Sequence, residues 1–204
     1  MKFLIIVAIV FVLWSVWGYF GSNVEQAEYI VLKNERDYEV REYKARIVAQ
    51  TTVEGSYDES LNKGFTIIAG YIFGGNTAQQ KIAMTAPVTQ QNSEKVAMTA
   101  PVLASLEGNS RVISFVMPSS YTLQTLPVPN DARVILKELP SQKIAVIGFS
   151  WFRSETRVQL MQKTLLESLT RDGVQIVGVP SYAGYNAPWT PPWMNRNEVL
   201  VEIK

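Results

Sequence analysis

The alternation of apolar and polar side chains predicts that much of this chain forms half-buried β-strands. It is most regular over residues 46–53, where Ile47, Ala49, Thr51 and Val53 share one face. A strand of this kind buries one face and leaves the other polar. Further strands are expected within residues 28–54 around a turn at 34–37, and at 111–117, 132–137, 143–149, 174–182 and 198–204.

Residues 56–73 carry the period of about 3.6 residues that is typical of an amphipathic helix. Ser56 and Glu59 form a capping box, which satisfies two free amides at the start of the helix. Gly64 and Gly70 lower the helix propensity, so we interpret them as places where the backbone approaches a neighbour or a ligand. The expected buried stripe consists of Leu61, Phe65, Ile68, Ala69 and Ile72.

Residues 154–171 carry the same period and predict a second helix. Ser154 is its expected N-cap, and Gly173 follows its end as a C-cap glycine does. Each half of the chain therefore contains strands, one helix and further strands. That order predicts an α+β fold in which the helices pack on a curved antiparallel sheet. The expected buried stripe of the second helix consists of Val158, Met161, Leu165, Leu166 and Leu169.

One octapeptide occurs almost twice, at Lys81–Val88 and again fourteen positions later at Lys95–Val102. The polar residues between the two copies predict a hairpin with its apolar rows on one side. The proline of each copy cannot donate to a ladder, so it is expected at a strand edge, end or bulge. The expected cross-strand pairs are Met84 with Ala100 and Ala86 with Met98.

The N-terminal residues 3–20 form an apolar run that only one serine and one glycine interrupt. As a helix this run spans about 27 Å, enough to cross the hydrocarbon core of a membrane. We interpret residues 1–22 as a transmembrane signal-anchor and residues 23–204 as one domain on the outer face, with Lys2 inside. A cleavable signal peptide, which would release a secreted domain, is the alternative.

Composition excludes several kinds of chemistry. The chain has 19 lysines and arginines and 18 acidic residues, and this balance gives no electrostatic footprint for nucleic acid. It has no histidine and no cysteine, which excludes Ser-His-Asp and Cys-His catalysis, disulfides and cysteine zinc sites. No paired-carboxylate spacing stands out among the acidic residues. We therefore expect a protein that is not an enzyme and has no metal site of its own.

Several motifs of the chain resemble those of the SOUL haem-binding family. They occur in the family's order from about Glu28 to the C-terminus. The resemblance implies the family's fold, a distorted antiparallel β-barrel of two related halves that is flanked by two α-helices. The motifs are Tyr38–Tyr43, Gly70–Asn76, the repeated octapeptide, Phe115–Pro118 and Arg196–Val199.

The resemblance also implies a protein that binds haem or a related tetrapyrrole in an apolar cleft, and the apolar segment at residues 3–20 adds the expectation that it is tethered to a membrane. Glu42 stands where some family members carry a histidine proposed as an axial haem ligand. Glutamate is a poor ligand for haem iron, so we expect binding without an axial histidine, and we assign no axial ligand. The candidate walls are Ile68, Ile72, Phe73, Met84 and Met98, the candidate covers are Trp189 and Trp193, and the candidate propionate partners are Arg41, Arg46 and Lys81.

The aromatic, proline-rich residues 185–194 support an alternative of another class. Exposed tryptophans beside prolines suit contacts with proteins or lipids. The alternative is a non-haem structural or partner-binding module at the membrane surface that uses the same fold. The same loop could instead fold over the end of the barrel.

Overall fold

The structure is a computed structural model that describes most of the chain beyond the N-terminal segment. The described residues are Ile5, Phe11, Trp14, Ser15 and the ranges 24–78, 93–107, 110–187 and 189–204.

Two helices and thirteen short or medium strands make up the described part of the chain. The helices are α1 (Tyr57–Ile72) and α2 (Glu155–Arg171), and a 3₁₀ turn covers Pro192–Met194. The strands are β1 (Glu25–Gln26), β2 (Tyr29–Asn34), β3 (Glu39–Tyr43), β4 (Arg46–Val53), β5 (Asn76–Thr77), β6 (Thr99–Ala100), β7 (Val102–Glu107), β8 (Ser110–Val116), β9 (Val128–Pro129), β10 (Ile135–Leu139), β11 (Gln142–Phe149), β12 (Ser181–Gly184) and β13 (Asn197–Glu202).

Nine of these strands form one curled antiparallel sheet in the order β10-β4-β8-β7-β12-β13-β11-β3-β2. The sheet repeats one pattern: β4, α1, β7 and β8 in the first half correspond to β11, α2, β12 and β13 in the second. In the first half β8 pairs with β4, and in the second half β13 pairs with β11. The pairing of β7 with β12 joins the two halves. The predicted α+β class with two related halves is confirmed, and the barrel is a curled half-barrel with β10 and β2 at its edges.

The helix boundaries follow the caps that the sequence predicts. Ser56 precedes α1, and the Glu59 carboxylate accepts hydrogen bonds from the Ser56 amide at 3.1 Å and from its hydroxyl at 2.7 Å. Ser154 caps α2 by accepting from the Arg157 amide. The predicted stripe of α1 is buried except at Phe65, which is 39% exposed and lies at the rim of the interface against Phe115.

The second copy of the octapeptide differs from its prediction. Residues 93–98 have no regular structure, and the strands begin only at Thr99, with Pro101 between β6 and β7. Val96 and Ala100 are buried, but Met98 is 38% exposed because no strand places it in line with them. The whole first copy lies outside the described residues, so the predicted pairs of Met84 with Ala100 and of Ala86 with Met98 stay predictions.

The closing strand predicted at 174–182 forms only in part. The regular strand starts at Ser181, and before it Ile176 makes an isolated bridge with Ile203. Pro180 lacks an amide hydrogen and cannot continue the ladder. The intervening amides of Val177 and Gly178 both donate to one carbonyl, that of Glu202.

The predicted segment 1–22 lies almost wholly outside the described residues. Within the described ranges, no helix is both long enough and apolar enough to cross a membrane.

The two helical glycines of α1 have different surroundings. A Cβ atom on Gly64 would lie 2.3 Å from Cγ1 of Ile113 on β8, so this glycine allows the helix to approach the sheet. A Cβ atom on Gly70 would meet nothing within 4 Å. The expected close approach is therefore present at Gly64 and absent at Gly70.

We predict opposite effects for the alanine variants of these two glycines. Gly64→Ala should lower the free energy of unfolding by about 1–3 kcal/mol, because the added methyl group overpacks the interface with Ile113. Gly70→Ala, the matched control, should raise it by roughly 0.5–1 kcal/mol, because alanine loses less backbone entropy in a helix. Urea unfolding of both variants measures this difference. Equal effects of the two variants would contradict the close approach at Gly64.

A candidate binding cleft on the helix-free face of the sheet

The alternation of side chains along each strand gives the sheet two faces, and the helices pack against only one of them. Ala49, Ile113 and Phe115 point to one face and form a single core with Ile68 of α1. Their strand neighbours point to the opposite face, as the period of two requires. No residue of either helix lines the two cavities described below.

One cavity lies on the helix-free face, and a neighbouring one lies at the end of the same strands. The sheet cavity has a volume of about 290 Å³ and lies over strands β4, β8 and β7, with Val48, Val112 and Leu103 among its walls. The end cavity has a volume of about 410 Å³ and lies where these strands end, beside Met117. We call the two together the cleft. Their shared lining residues are Ala27, Arg46 and Val116.

Arg46 is the charged group at the junction of the two cavities. Its guanidinium donates to two neutral acceptors, the Lys44 carbonyl at 3.4 Å and the Gln142 side chain at 3.1 Å. It also lies 5.0 Å from the centre of the Tyr43 ring. Burial lowers the pKa of Arg46. Among the described residues, no carboxylate lies within ion-pair distance of this half-buried cation. The Glu202 carboxylate on the same cavity wall attracts it from further away and accepts a hydrogen bond from Gln142 at 3.0 Å, so the guanidinium can still bind an anionic ligand.

A second arginine of the same region is fully paired. Arg41 is buried, and its Nη1 donates to both carboxylate oxygens of Glu198 at 3.0 Å. Arg196 donates to the same carboxylate at 2.8 Å, and the Tyr185 hydroxyl donates to it at 2.6 Å. Burial opposes the charge of Arg41, but the neighbouring Glu198 carboxylate raises its pKa overall. This cluster satisfies its own charges and has no free cation for a ligand.

The comparison with known families agrees with this geometry. The family described as SOUL heme-binding protein matches residues 24–202. The chain belongs to this family. Heme-binding protein 2 of Homo sapiens is 31% identical over 162 residues, covering 78% of this chain and 74% of the relative. Heme-binding protein 2 of Mus musculus is 29% identical over 176 residues and covers 82% of both proteins.

Solved structures share the fold at much lower identity. The C-terminal domain of EcmrR superposes with a TM-score of 0.54 at 12% identity, covering 82% of this chain and 98% of that domain. EcmrR in a complex with DNA has a TM-score of 0.57 at 12% identity, covering 82% of this chain and 57% of that chain. Likeness at this identity extends to the fold alone.

Two motifs that resemble the SOUL family meet in the paired cluster. Tyr38–Tyr43 supplies Arg41, and Arg196–Val199 supplies Arg196 and Glu198. Strand β11 lies between β3 and β13, so the two motifs reach each other across a strand although they lie far apart in the chain. The ion pairs of these motif residues link β3 to β13 and so stabilise the second half of the sheet.

The eight candidate residues that the structure describes do not come together at one place. Arg46 lies in the cleft, and Arg41 is in the paired cluster. Ile68 and Ile72 of α1 are fully buried against the sheet and line neither cavity, so their role as cleft walls stays a prediction. Phe73 is exposed at the end of α1.

The other candidate positions lie away from the cleft or outside the described residues. Met98 and Trp189 are exposed, and Trp193 is half-buried against Phe11. Lys81 and Met84 lie outside the described residues, so their proposed contacts remain predictions.

The sequence analysis missed the cleft walls Val48, Val112 and Val116 and the polar Ser114 between them. The two-residue alternation of the strands could have indicated these walls, because they point to the face of the sheet opposite to that of Ala49, Ile113 and Phe115. It was overlooked because a valine at the nominal outer face of a strand is common in any sheet.

We predict that Glu198→Gln lowers the free energy of unfolding by about 3 kcal/mol, because buried Arg41 then keeps only the half-buried Glu39 carboxylate and the half-buried Arg196 loses its ion pair. Urea unfolding monitored by tryptophan fluorescence measures the change. Glu167→Gln, which disrupts an exposed pair with Lys163 on α2, is the matched control and should leave stability nearly unchanged. An equally small effect at Glu198 would contradict the structural role of the cluster.

Proposed function

We propose that this SOUL-family protein binds haem or a related tetrapyrrole in the cleft. The observation that carries the proposal is Arg46, a half-buried guanidinium without an ion-paired carboxylate at the junction of two cavities whose walls combine apolar and polar side chains. Flat apolar ligands with carboxylates need this combination of an apolar surface and one placed cation. Membership of the family and the printed name of its relatives, Heme-binding protein 2, support the choice of ligand.

The size and lining of the cleft are compatible with such a ligand. The end cavity, at about 410 Å³, falls within the range of roughly 300–1,000 Å³ that is usual for small-molecule sites. The sheet cavity adjoins it, and its valine and leucine side chains are interspersed with polar groups such as Ser114 and Gln142. In this proposal the macrocycle lies against these side chains, and one propionate binds Arg46.

The side chains of the cleft suit the porphyrin macrocycle better than they suit coordination of its iron. The chain has no histidine or cysteine. Burial raises the pKa of the Tyr43 phenol, which disfavours the phenolate that would bind ferric iron. The Tyr121 phenol donates to Glu94 at 2.8 Å, and this hydrogen bond also raises its pKa. The proposal is therefore binding without an axial protein ligand, by a binding protein rather than an enzyme.

We also propose that the protein is tethered to a membrane by residues 3–20, with the domain on the outer face. The length and apolar composition of the segment support this placement. Secretion after cleavage of a signal peptide remains the alternative, and mass spectrometry of the protein isolated from its native cells separates the two through the mass of the N-terminus.

We predict that haemin and iron-free protoporphyrin bind the full-length protein in detergent with affinities equal within a factor of about three, a difference of under about 0.7 kcal/mol. The physical reason is that the iron gains no protein ligand. Titration followed by quenching of tryptophan fluorescence measures both affinities. Much tighter binding of haemin would contradict the uncoordinated mode, and no saturable binding of either would contradict the proposed function.

We predict that Arg46→Gln weakens the binding of protoporphyrin about tenfold, because a charge-assisted hydrogen bond at a half-buried site contributes about 1–2 kcal/mol. The same variant should bind the protoporphyrin dimethyl ester as the unmodified protein does, since the ester has no carboxylate. Arg133→Gln, at an exposed arginine paired with Asp131, is the matched control and should bind both ligands normally. Equal loss for acid and ester would contradict a carboxylate contact at Arg46.

A further inference from the structure

A second cation lines the sheet cavity beside Arg46. Among the described residues, the side chains of the Lys, Arg, Asp and Glu types in this wall are those of Arg46, Lys137 and Glu202. Lys137 belongs to β10, the edge strand that pairs with β4. No motif marks this lysine in the sequence, so its place in the cavity wall follows only from the way the strands pair.

The register of β4 and β10 determines how close the two cations lie. Lys137 is opposite Val48, and Leu139 is opposite Arg46. Because Val48 and Arg46 are two residues apart on β4, their side chains share the cleft face, and Lys137 shares it with them. Arg46 and Lys137 are therefore diagonal neighbours, which lie about 7–8 Å apart in an antiparallel pair. Two long side chains at this spacing can reach two groups of one ligand.

Neither cation has an ion-paired carboxylate within the part of the chain that the structure describes. The third charged group of the wall, Glu202, lies beyond ion-pair distance and accepts a hydrogen bond from Gln142 at 3.0 Å. The side chain of Glu138, next to Lys137, points to the other side of β10 and lines the end cavity. Two cations that share a face repel each other, and a pair of ligand carboxylates removes this repulsion.

An exposed lysine on an edge strand has another common role, because its charge discourages pairing with the sheet edge of a second molecule. Strand β2 is the other edge of this sheet, and its Lys33 forms an ion pair with Glu35. Lys33 lines neither cavity, whereas Lys137 faces a cavity and lies beside an arginine without an ion pair. Lys33 is therefore a matched control for the edge-strand role.

We propose that Lys137 is a second carboxylate-binding residue of the cleft, and that the ligand is a tetrapyrrole with two free carboxylates on one edge of the macrocycle. The inference rests on the proposed binding of a tetrapyrrole at Arg46, and it narrows the class of ligand. The two propionates of protoporphyrin extend from neighbouring pyrrole rings on one edge, so one can bind Arg46 while the other binds Lys137. A ligand with a single carboxylate would satisfy Arg46 alone.

Three forms of protoporphyrin test this contact: the free acid with two carboxylates, the monomethyl ester with one and the dimethyl ester with none. Each is titrated into the full-length protein in detergent, with quenching of tryptophan fluorescence as the readout. The affinity of each variant is divided by that of the unmodified protein for the same porphyrin, which cancels differences in partitioning into detergent. We expect Lys137→Gln to weaken binding of the free acid about threefold to fivefold, as loss of a partly exposed ion pair does. Both esters should bind this variant nearly as they bind the unmodified protein, and Lys33→Gln should bind all three porphyrins normally.

Three outcomes would overturn the proposal. If Lys137→Gln leaves binding of the free acid unchanged while Arg46→Gln weakens it, the second contact is wrong and the proposed function stands. If Lys137→Gln weakens the acid and both esters equally, the lysine supports the fold and binds no carboxylate. If none of the three porphyrins binds saturably to the unmodified protein, the proposed function fails and the contact at Lys137 fails with it.

Discussion

The strict two-residue alternation of an antiparallel sheet determines what each face of this protein can do. The strands β4 and β8 divide their side chains between the helix-side core on one face and the cleft on the other. Ala49, Ile113 and Phe115 fill the helix side, and their neighbours Val48, Val112 and Val116 are thereby committed to the cleft. A slip of one residue in any strand would exchange core and cleft, so the packing of the helices also specifies the binding surface.

The two arginines at the cleft end of the sheet have opposite roles because of their different partners. Arg41 on β3 reaches Glu198 on β13 across β11, and the cluster with Arg196 neutralises itself within the fold. Arg46, at the start of β4, has neutral acceptors and no such carboxylate among the described residues. A fully paired buried charge contributes to the specificity of the fold, whereas an unpaired one at a cavity is available to a ligand. This contrast directs the functional proposal to Arg46.

Local sequence signals predicted much of the fold and little of the site. The caps at Ser56 and Ser154, the β4 alternation and the order of strands and helices all depend on neighbouring residues, and the structure confirms them. The position of Ile68 and Ile72 in the core, rather than in a cleft wall, depends on which face of the sheet the helix covers. The pairing of Arg41 depends on the register of strands β3, β11 and β13. Family motifs marked these residues as important without distinguishing structural from binding roles.

The location of the ligand is the central claim, and methyl NMR of the full-length protein with ferric haem tests it most directly. The paramagnetic iron broadens the signals of nearby methyl groups. The account predicts selective broadening at Val48, Val112 and Val116, with Ile68 and Ile72 unaffected on the helix side of the sheet. Broadening centred on Ile68 and Ile72, with the three valines unchanged, would contradict binding in the cleft and would place the ligand against α1.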